Sequence, residues 1–158
     1  MVSGVILNKI GKRWIGIISR LLQSNLPFPK YATGKLVRSL QFKHFKDADG
    51  NTVIQLISAK SDKGFEYIKV IDQGRKPGKY VPINALKNWA KVKGIPEEAV
   101  YAINKKIFKD GIKATFIINR SLEQLFSSQN KDLFDEIEEE VISDITKIFK
   151  NTLTFKKV

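Results

Sequence analysis

The sequence predicts an α+β fold, with an antiparallel β-sheet of three to four strands packed with helices and flanked by an N-terminal helix and a long C-terminal helix. Three observations carry this. Apolar residues recur at helical spacing near both ends of the chain, they alternate with polar ones between residues 40 and 71, and Gly and Pro punctuate the boundaries. At 158 residues, 42% apolar and 10% aromatic, the chain has the length of one ordinary domain and the material for a core. The single domain, 1–158, divides into an N-terminal helix (1–26), an α+β core (30–120) and a C-terminal helix (131–153).

From Val5 to Gln23, the residues Ile6, Ile10, Trp14, Ile17, Ile18, Leu21 and Leu22 share one broad helical face, and Asn8, Lys9, Lys12, Arg13, Arg20 and Gln23 occupy the other. Its basic polar face also allows a membrane-surface reading. Its longest apolar run, Trp14–Ile18, is far short of the ~20 residues that span a bilayer. Pro27 and Pro29 then stop the helix. Strands are expected at Leu40–His44, at Val53–Ala59 and at Phe65–Ile71, with turns at Asp49-Gly50 and Asp62-Lys63-Gly64. His44, the only histidine, shares a face with Leu40 and Phe42 and is expected to be half-buried and hydrogen-bonded.

A helix over Ile83–Val92 places Ile83, Leu86, Trp89 and Ala90 inward and ends at Gly94, where a left-handed C-cap is favoured. The next opens with Pro96 as its first residue and Glu97-Glu98 in the first turn. Its inner face is Val100, Ile103, Ile107 and Phe108, and Gly111 closes it. Ala114–Asn119 reads as a short strand and Ser127–Asn130 as a loop or hinge. Leu133, Ile137, Val141, Ile145 and Ile148 mark the C-terminal helix, with Glu136, Glu138, Glu139, Glu140 and Asp144 largely towards solvent.

Charge is unevenly shared. Residues 126–158 hold five basic and seven acidic side chains, and residues 1–125 hold 23 and nine, giving a +14 body within a chain of +12. Such a body suits an acidic partner, either nucleic acid or an acidic protein. Absence of cysteine excludes disulfides, thiol catalysis and Cys/His zinc sites, and His44 has no obvious triad partner. The stretch Gly74-Arg-Lys-Pro-Gly-Lys-Tyr imitates a phosphate loop but has three residues between its glycines, not four, and Tyr80 where a hydroxyl for magnesium is required. Asp47, Asp49 and Asp62 are explained by turns, and Glu66 with Lys69 is only a fragment of a nuclease signature. The helix pair around Gly94-Ile95-Pro96 suggests a helix-turn-helix, but Glu97 and Glu98 would meet the phosphates, with Lys105, Lys106 and Lys109 at the far end. No catalytic residue, cofactor or metal is expected.

Two motifs in order decide the reading. The first is Ala32-Thr33-Gly34-Lys35-Leu36-Val37-Arg38-Ser39-Leu40, and the second is Tyr67 followed by Ile71-Asp72-Gln73-Gly74. With Pro77, Pro82, Leu86, Trp89, Gly94, Ala102-Ile103, Ile107 and Gly111-Ile112 after them, they resemble the tail-completion, or head–tail joining, neck proteins of long-tailed bacteriophages. The first matches the family's Thr-Gly-basic-Leu-x-x-Ser-apolar signature and the second its Tyr and apolar-acid-x-Gly element. The likeness covers roughly residues 5–120. Arg75 stands where the family usually has Thr, no Pro lies in Gly111–Phe116, and the connection Asn119–Asp132 is longer than in the family.

The resemblance implies a structural virion protein, made in the host bacterial cytoplasm. Copies would form a homo-oligomeric ring at the neck, joining portal and adaptor to tail around the DNA channel, with non-specific contact to packaged DNA possible and no membrane partner. Different-class alternatives are a basic DNA-binding regulator and a small nuclease. Within the implied ring, the loop Arg75, Lys76, Pro77, Gly78, Lys79 and Tyr80 is the expected interface, stiffened by Gly and Pro and carrying Arg75, Lys76 and Lys79 at its tip. Thr33, Gly34, Leu36, Ser39, Tyr67, Asp72, Gly74, Pro82 and Trp89 are the motif positions.

Overall fold

A computed structural model describes residues 2–24, 34–58, 60 and 66–152, with 148–152 as backbone alone. Thr33, Pro27, Pro29, Ala59, the Asp62–Gly64 turn, Phe65 and the side chain of Ile148 lie outside the described residues. The elements are α1 (Gly4–Gln23), α2 (Lys35–Ser39), β1 (Gln41–Lys46), β2 (Thr52–Ile57), α3 (Tyr67–Gln73), α4 (Ile83–Val92), α5 (Glu97–Asp110), α6 (Ile117–Leu125), a 3-10 turn (Ser128–Asn130) and α7 (Lys131–Thr152). The architecture is mixed: helices around one two-stranded antiparallel sheet, with no further strand among the described residues.

α1 forms where its periodicity places it. Ser3 caps its start, its hydroxyl accepting from the amide of Ile6. Trp14, Ile17, Ile18 and Leu22 are buried in the main core with Leu40, Ile68, Ile117, Leu125 and Leu133. Hairpin β1–β2 pairs Gln41 with Ile57 and Lys46 with Thr52. Asp47 turns it: its carboxylate accepts from the amides of Asn51 (2.8 Å) and Asp49 (3.1 Å), and Gly50 takes φ +82°. The Asn51 side chain first, and then these amides, hold the Asp47 carboxyl below the usual carboxylate range. Phe42 lies against Gly11 of α1, where a Cβ would overlap the ring. His44 is half-buried beside Gly4, as expected, but no hydrogen bond joins its ring to another described residue.

Two expected strands are helices. Tyr67–Gln73 is rich in β-branched residues, yet a seven-residue window fits both periods. Helical spacing puts Ile68 and Ile71 together on the main core, and the Glu66–Lys69 ion pair, at 3.0 Å, spans its first turn. Glu66 also meets Lys60 at 3.4 Å, and the two lysines, Lys69 foremost, keep its carboxyl below its ordinary pKa. The second is Ala114–Asn119, which contains the start of α6. Ile117, Ser121 and Leu125 are all buried at helical spacing, and Ser121 breaks the apolar pattern that would have announced the helix. Its hydroxyl accepts from the Trp14 indole at 2.8 Å and donates to the Ile118 carbonyl at 2.6 Å. α6 thereby fills the long connection between Asn119 and Asp132.

α4 and α5 behave as expected at their ends. Ile95 donates to the Ala90 carbonyl (2.9 Å) and Gly94 to that of Lys91 (3.3 Å), the paired bonds of a Schellman stop, with Gly94 at φ +67°. Pro96 is the N-cap of α5, one position earlier than expected, and Gly111 closes the helix. Leu86, Ala90 and Val100 form a second, smaller core with Val81, Ile83, Ile95, Ile103 and Ile107 around it. Trp89 does not belong to it. At 38% exposed, it sits at the margin of the α4 inner face, whereas Trp14 is 9% exposed. Phe108 is likewise exposed, because the α5 inner face turns past it.

The first turns of α7 are tied to α1. Arg13 makes a bidentate pair with Asp132 (2.8 and 2.9 Å), Lys9 pairs with Glu136, and Leu133 enters the main core. The Arg13 hydrogen bonds hold the Asp132 carboxyl below its usual pKa.

Two sets of substitutions check this packing. Gly16 lies on α1 with nothing within 4 Å of the point a Cβ would occupy, so Gly16→Ala is expected to raise stability by roughly 0.5–1 kcal/mol. Gly74 has φ +72° and ψ −162°, and a Cβ there would lie 2.6 Å from the Ala114 nitrogen, so Gly74→Ala should cost about 2–4 kcal/mol. Equal effects in urea unfolding would show that the close approach at Gly74 is absent. For the two tryptophans, Trp14→Ala should cost about 3–5 kcal/mol and Trp89→Ala under about 1.5. Acrylamide should quench Trp89 emission in Trp14→Phe much more than Trp14 emission in Trp89→Phe, and the reverse order would overturn the assignment.

Candidate interface built by the 74–82 loop and helix α5

The loop begins where α3 ends. Gly74 donates to Val70 (2.8 Å), and the next residue, Arg75, exchanges two backbone hydrogen bonds of 2.8 Å with Ile112. Gly111 faces this crossing from the other strand with φ +73° and ψ −160°, nearly the same dihedrals as Gly74. A Cβ on either glycine would overlap the opposite backbone, so both positions require glycine.

From the crossing the loop lies along α5. Gly78 donates to the Phe108 carbonyl at 2.8 Å, and the Tyr80 ring stacks on Phe108 with centroids 4.4 Å apart and planes inclined by 20°. Asn104, buried on α5, both donates to the Val81 carbonyl and accepts from its amide, each at 2.9 Å. Pro82 then supplies the N-cap position of α4. A rigid loop follows from these contacts.

Arg75 is not at the tip. Its guanidinium turns back and donates to the carbonyls of Tyr80 (2.9 Å) and Lys79 (3.4 Å), closing the loop from within. Lys76, Pro77, Gly78, Lys79 and Tyr80 are exposed. Lys105 and Lys109 lie exposed on the same end of α5, so the outward charge is carried by lysines from both elements. Lys87 pairs with Glu97 and lies 5.9 Å from the centre of the exposed Tyr101 ring. The Glu97 hydrogen bond raises the Lys87 pKa and lowers that of Glu97. Glu97 is thus engaged by α4, at the helix end where a DNA reader would present its first residues.

The motif positions divide between two places. Gly34 is buried at φ +73° as the N-cap of α2, Leu36 packs on the main core, and the Ser39 hydroxyl donates to the Leu36 carbonyl at 2.7 Å. Tyr67 opens α3 and is half exposed. Asp72 and Gly74 sit at the crossing. The Asp72 carboxylate accepts from Ile118 (2.9 Å) and its carbonyl from Thr115 and Phe116, so it starts α6 from across the fold. Trp89 lies on α4, apart from both groups. Asn104 and Tyr101 escaped the sequence reading. A lone amide between the core positions Val100, Ile103 and Ile107 was the signal for Asn104; Tyr101 gave none. Among the described residues, no three His, Asp or Glu side chains gather as a metal site would require, and no helix is long and apolar enough to cross a membrane.

Asn104→Ala should free the loop while leaving both cores intact. The unpaired Val81 groups cost about 1–3 kcal/mol, and hydrogen exchange at the Val81 amide should rise with little change at Ile18. Unchanged Val81 protection would mean the amide clamp does not hold the loop.

No family model matches the chain, and neither a curated protein nor a solved structure does.

Proposed function

We propose that the chain is a structural protein of the neck of a long-tailed bacteriophage, several copies of which close into a ring that joins the portal and adaptor to the tail around the DNA channel. The observation that carries this is the ordered pair of motifs, Gly34-Lys35-Leu36 to Ser39 and Tyr67 to Asp72-x-Gly74, together with the work those residues do. Gly34 starts a helix in the left-handed conformation, Asp72 caps α6, and Gly74 permits a backbone crossing. Each is an architectural task, so a signature made of them marks a shared scaffold, which is what a ring subunit must preserve.

The rigid loop supports the same reading. Lys76 and Lys79 are exposed on a backbone that is fixed by Asn104, Phe108 and the Arg75 guanidinium. A surface fixed before assembly loses little conformational entropy on docking, which favours repeated identical contacts. Rings form from heterologous contacts whose rotation closes.

Deleting the gene from the phage that encodes the chain should leave DNA-filled heads and finished tails that fail to join, and mass spectrometry of wild-type particles should find the chain at a fixed copy number. Infectious particles at the normal level without the chain, or purified virions that lack it, would overturn the proposal.

A further inference from the structure

The distal half of α7 and the surface made by α5 with the 74–82 loop are unlike in charge and alike in length. Beyond Leu133, α7 carries Ile137, Val141 and Ile145 along one side, and Val141 (37%), Ile145 (48%) and the neighbouring Ile142 (55%) are exposed. Carboxylates border this row: Asp135 and Glu138 on one side, Glu140 on the other. Over residues 131–147 there are seven acidic and two basic side chains, a balance of −5. The ion pairs with α1 engage Asp132 and Glu136; of the bordering carboxylates, Asp135 and Glu138 are exposed and Glu140 is half-buried.

The α5 surface is the complement. Tyr101, Phe108 and Tyr80 form an exposed aromatic row, with Lys105 and Lys109 beside it on the helix and Lys76 and Lys79 on the loop. No salt bridge with a described residue engages these four lysines. Residues 75–113 hold ten basic and three acidic side chains, a balance of +7. Tyr101 to Lys109 and Ile137 to Ile145 are both nine-residue helical stretches, each about 12 Å long at 1.5 Å per residue.

We infer that α7 of one copy docks through its Ile137–Ile145 row on the Tyr101–Phe108–Tyr80 row of a second copy, with Glu138 and Glu140 facing Lys105 and Lys109. Two different surfaces of the same chain meet, so the contact is heterologous and repeats from copy to copy. Apolar rows supply the burial, and the flanking charges fix register and speed encounter. The inference rests on the ring reading only in requiring that copies meet head to tail.

Because the chain has no cysteine, a single introduced one is unique. Ala102→Cys marks α5 and Ile142→Cys marks α7, both at exposed positions. Treated with a short bismaleimide at low salt, the two proteins mixed should give a covalent dimer, and neither alone should give a comparable amount. Glu138→Lys with Glu140→Lys in the α7 partner should lower the yield about tenfold or more. Lys105→Glu with Lys109→Glu in the α5 partner should restore it, which a misfolded variant could not do.

No mixed product at millimolar protein, equal product from Ile142→Cys alone, or indifference to the charge reversals would each overturn the docking. So would an α5 surface whose lysine reversals abolish binding to random duplex DNA while leaving cross-linking unchanged, since its partner would then be nucleic acid. A charge-dependent mixed product from a protein whose deletion leaves infectivity normal would keep the contact and remove the neck reading.

Discussion

Two glycines that permit the same unusual backbone conformation let the chain cross itself at Gly74 and Gly111, and the relation between the two cores depends on that crossing. The Arg75–Ile112 bonds join the end of α3 to the end of α5, and within a few residues Thr115, Phe116 and Ile118 all bond to Ile71 or Asp72. The main core, built on α1, and the smaller core of α4 and α5 are therefore linked by backbone. The chain between them is a single excursion, residues 76–110, which leaves the crossing and returns to it. Its loop is held at the start by Gly78 and Phe108 and at the end by Asn104 and Val81. This accounts for a rigid loop that buries little: hydrogen bonds at both ends of it do the fixing, and the tip stays in water.

The sequence made the long, strongly periodic elements legible. α1, α4 and α5 sit within a residue of expectation, and Gly94, Pro96 and Gly111 mark the limits of α4 and α5. Short elements were opaque. Tyr67–Gln73 offers both periods at once, and only contact with the main core selects the helix. At α6 the obstacle is Ser121, a polar side chain at a core position whose cost is offset by an indole hydrogen bond from 107 residues away in sequence. Both tryptophans are expected on inner helix faces, and the structure buries Trp14 and leaves Trp89 38% exposed. Trp89 had apolar neighbours in its own helix, whereas Trp14 has a partner that no local pattern displays.

Of the candidate site, composition revealed the Gly/Pro/Lys loop but not its internal bracing. Arg75 reads as one more exposed cation beside Lys76 and Lys79, yet two backbone carbonyls take its guanidinium. A planar, five-donor group suits such a role, and a lysine does not. The lysines the loop leaves outward gain neighbours from α5 that lie 26 to 33 residues further along the chain, a juxtaposition made by the crossing and invisible in sequence order.

Charge asymmetry acts twice in this molecule. Within the chain, Arg13 and Lys9 draw the first turns of α7 onto α1, where Leu133 adds burial, and the bidentate geometry at Asp132 orients the helix. Exposed ion pairs of this kind add little stability, so they serve chiefly to aim α7. Past Glu136 the acidic helix continues for about four turns, and Val141, Ile142 and Ile145 lie open to water. In the docking we infer, the same separation of basic body and acidic helix would act between copies. A contact of that design strengthens as salt falls, because lower ionic strength lengthens the distance over which its charges act. Its apolar rows do not share that dependence. Salt should therefore alter how fast and in which register copies meet far more than whether the rows, once seated, stay buried.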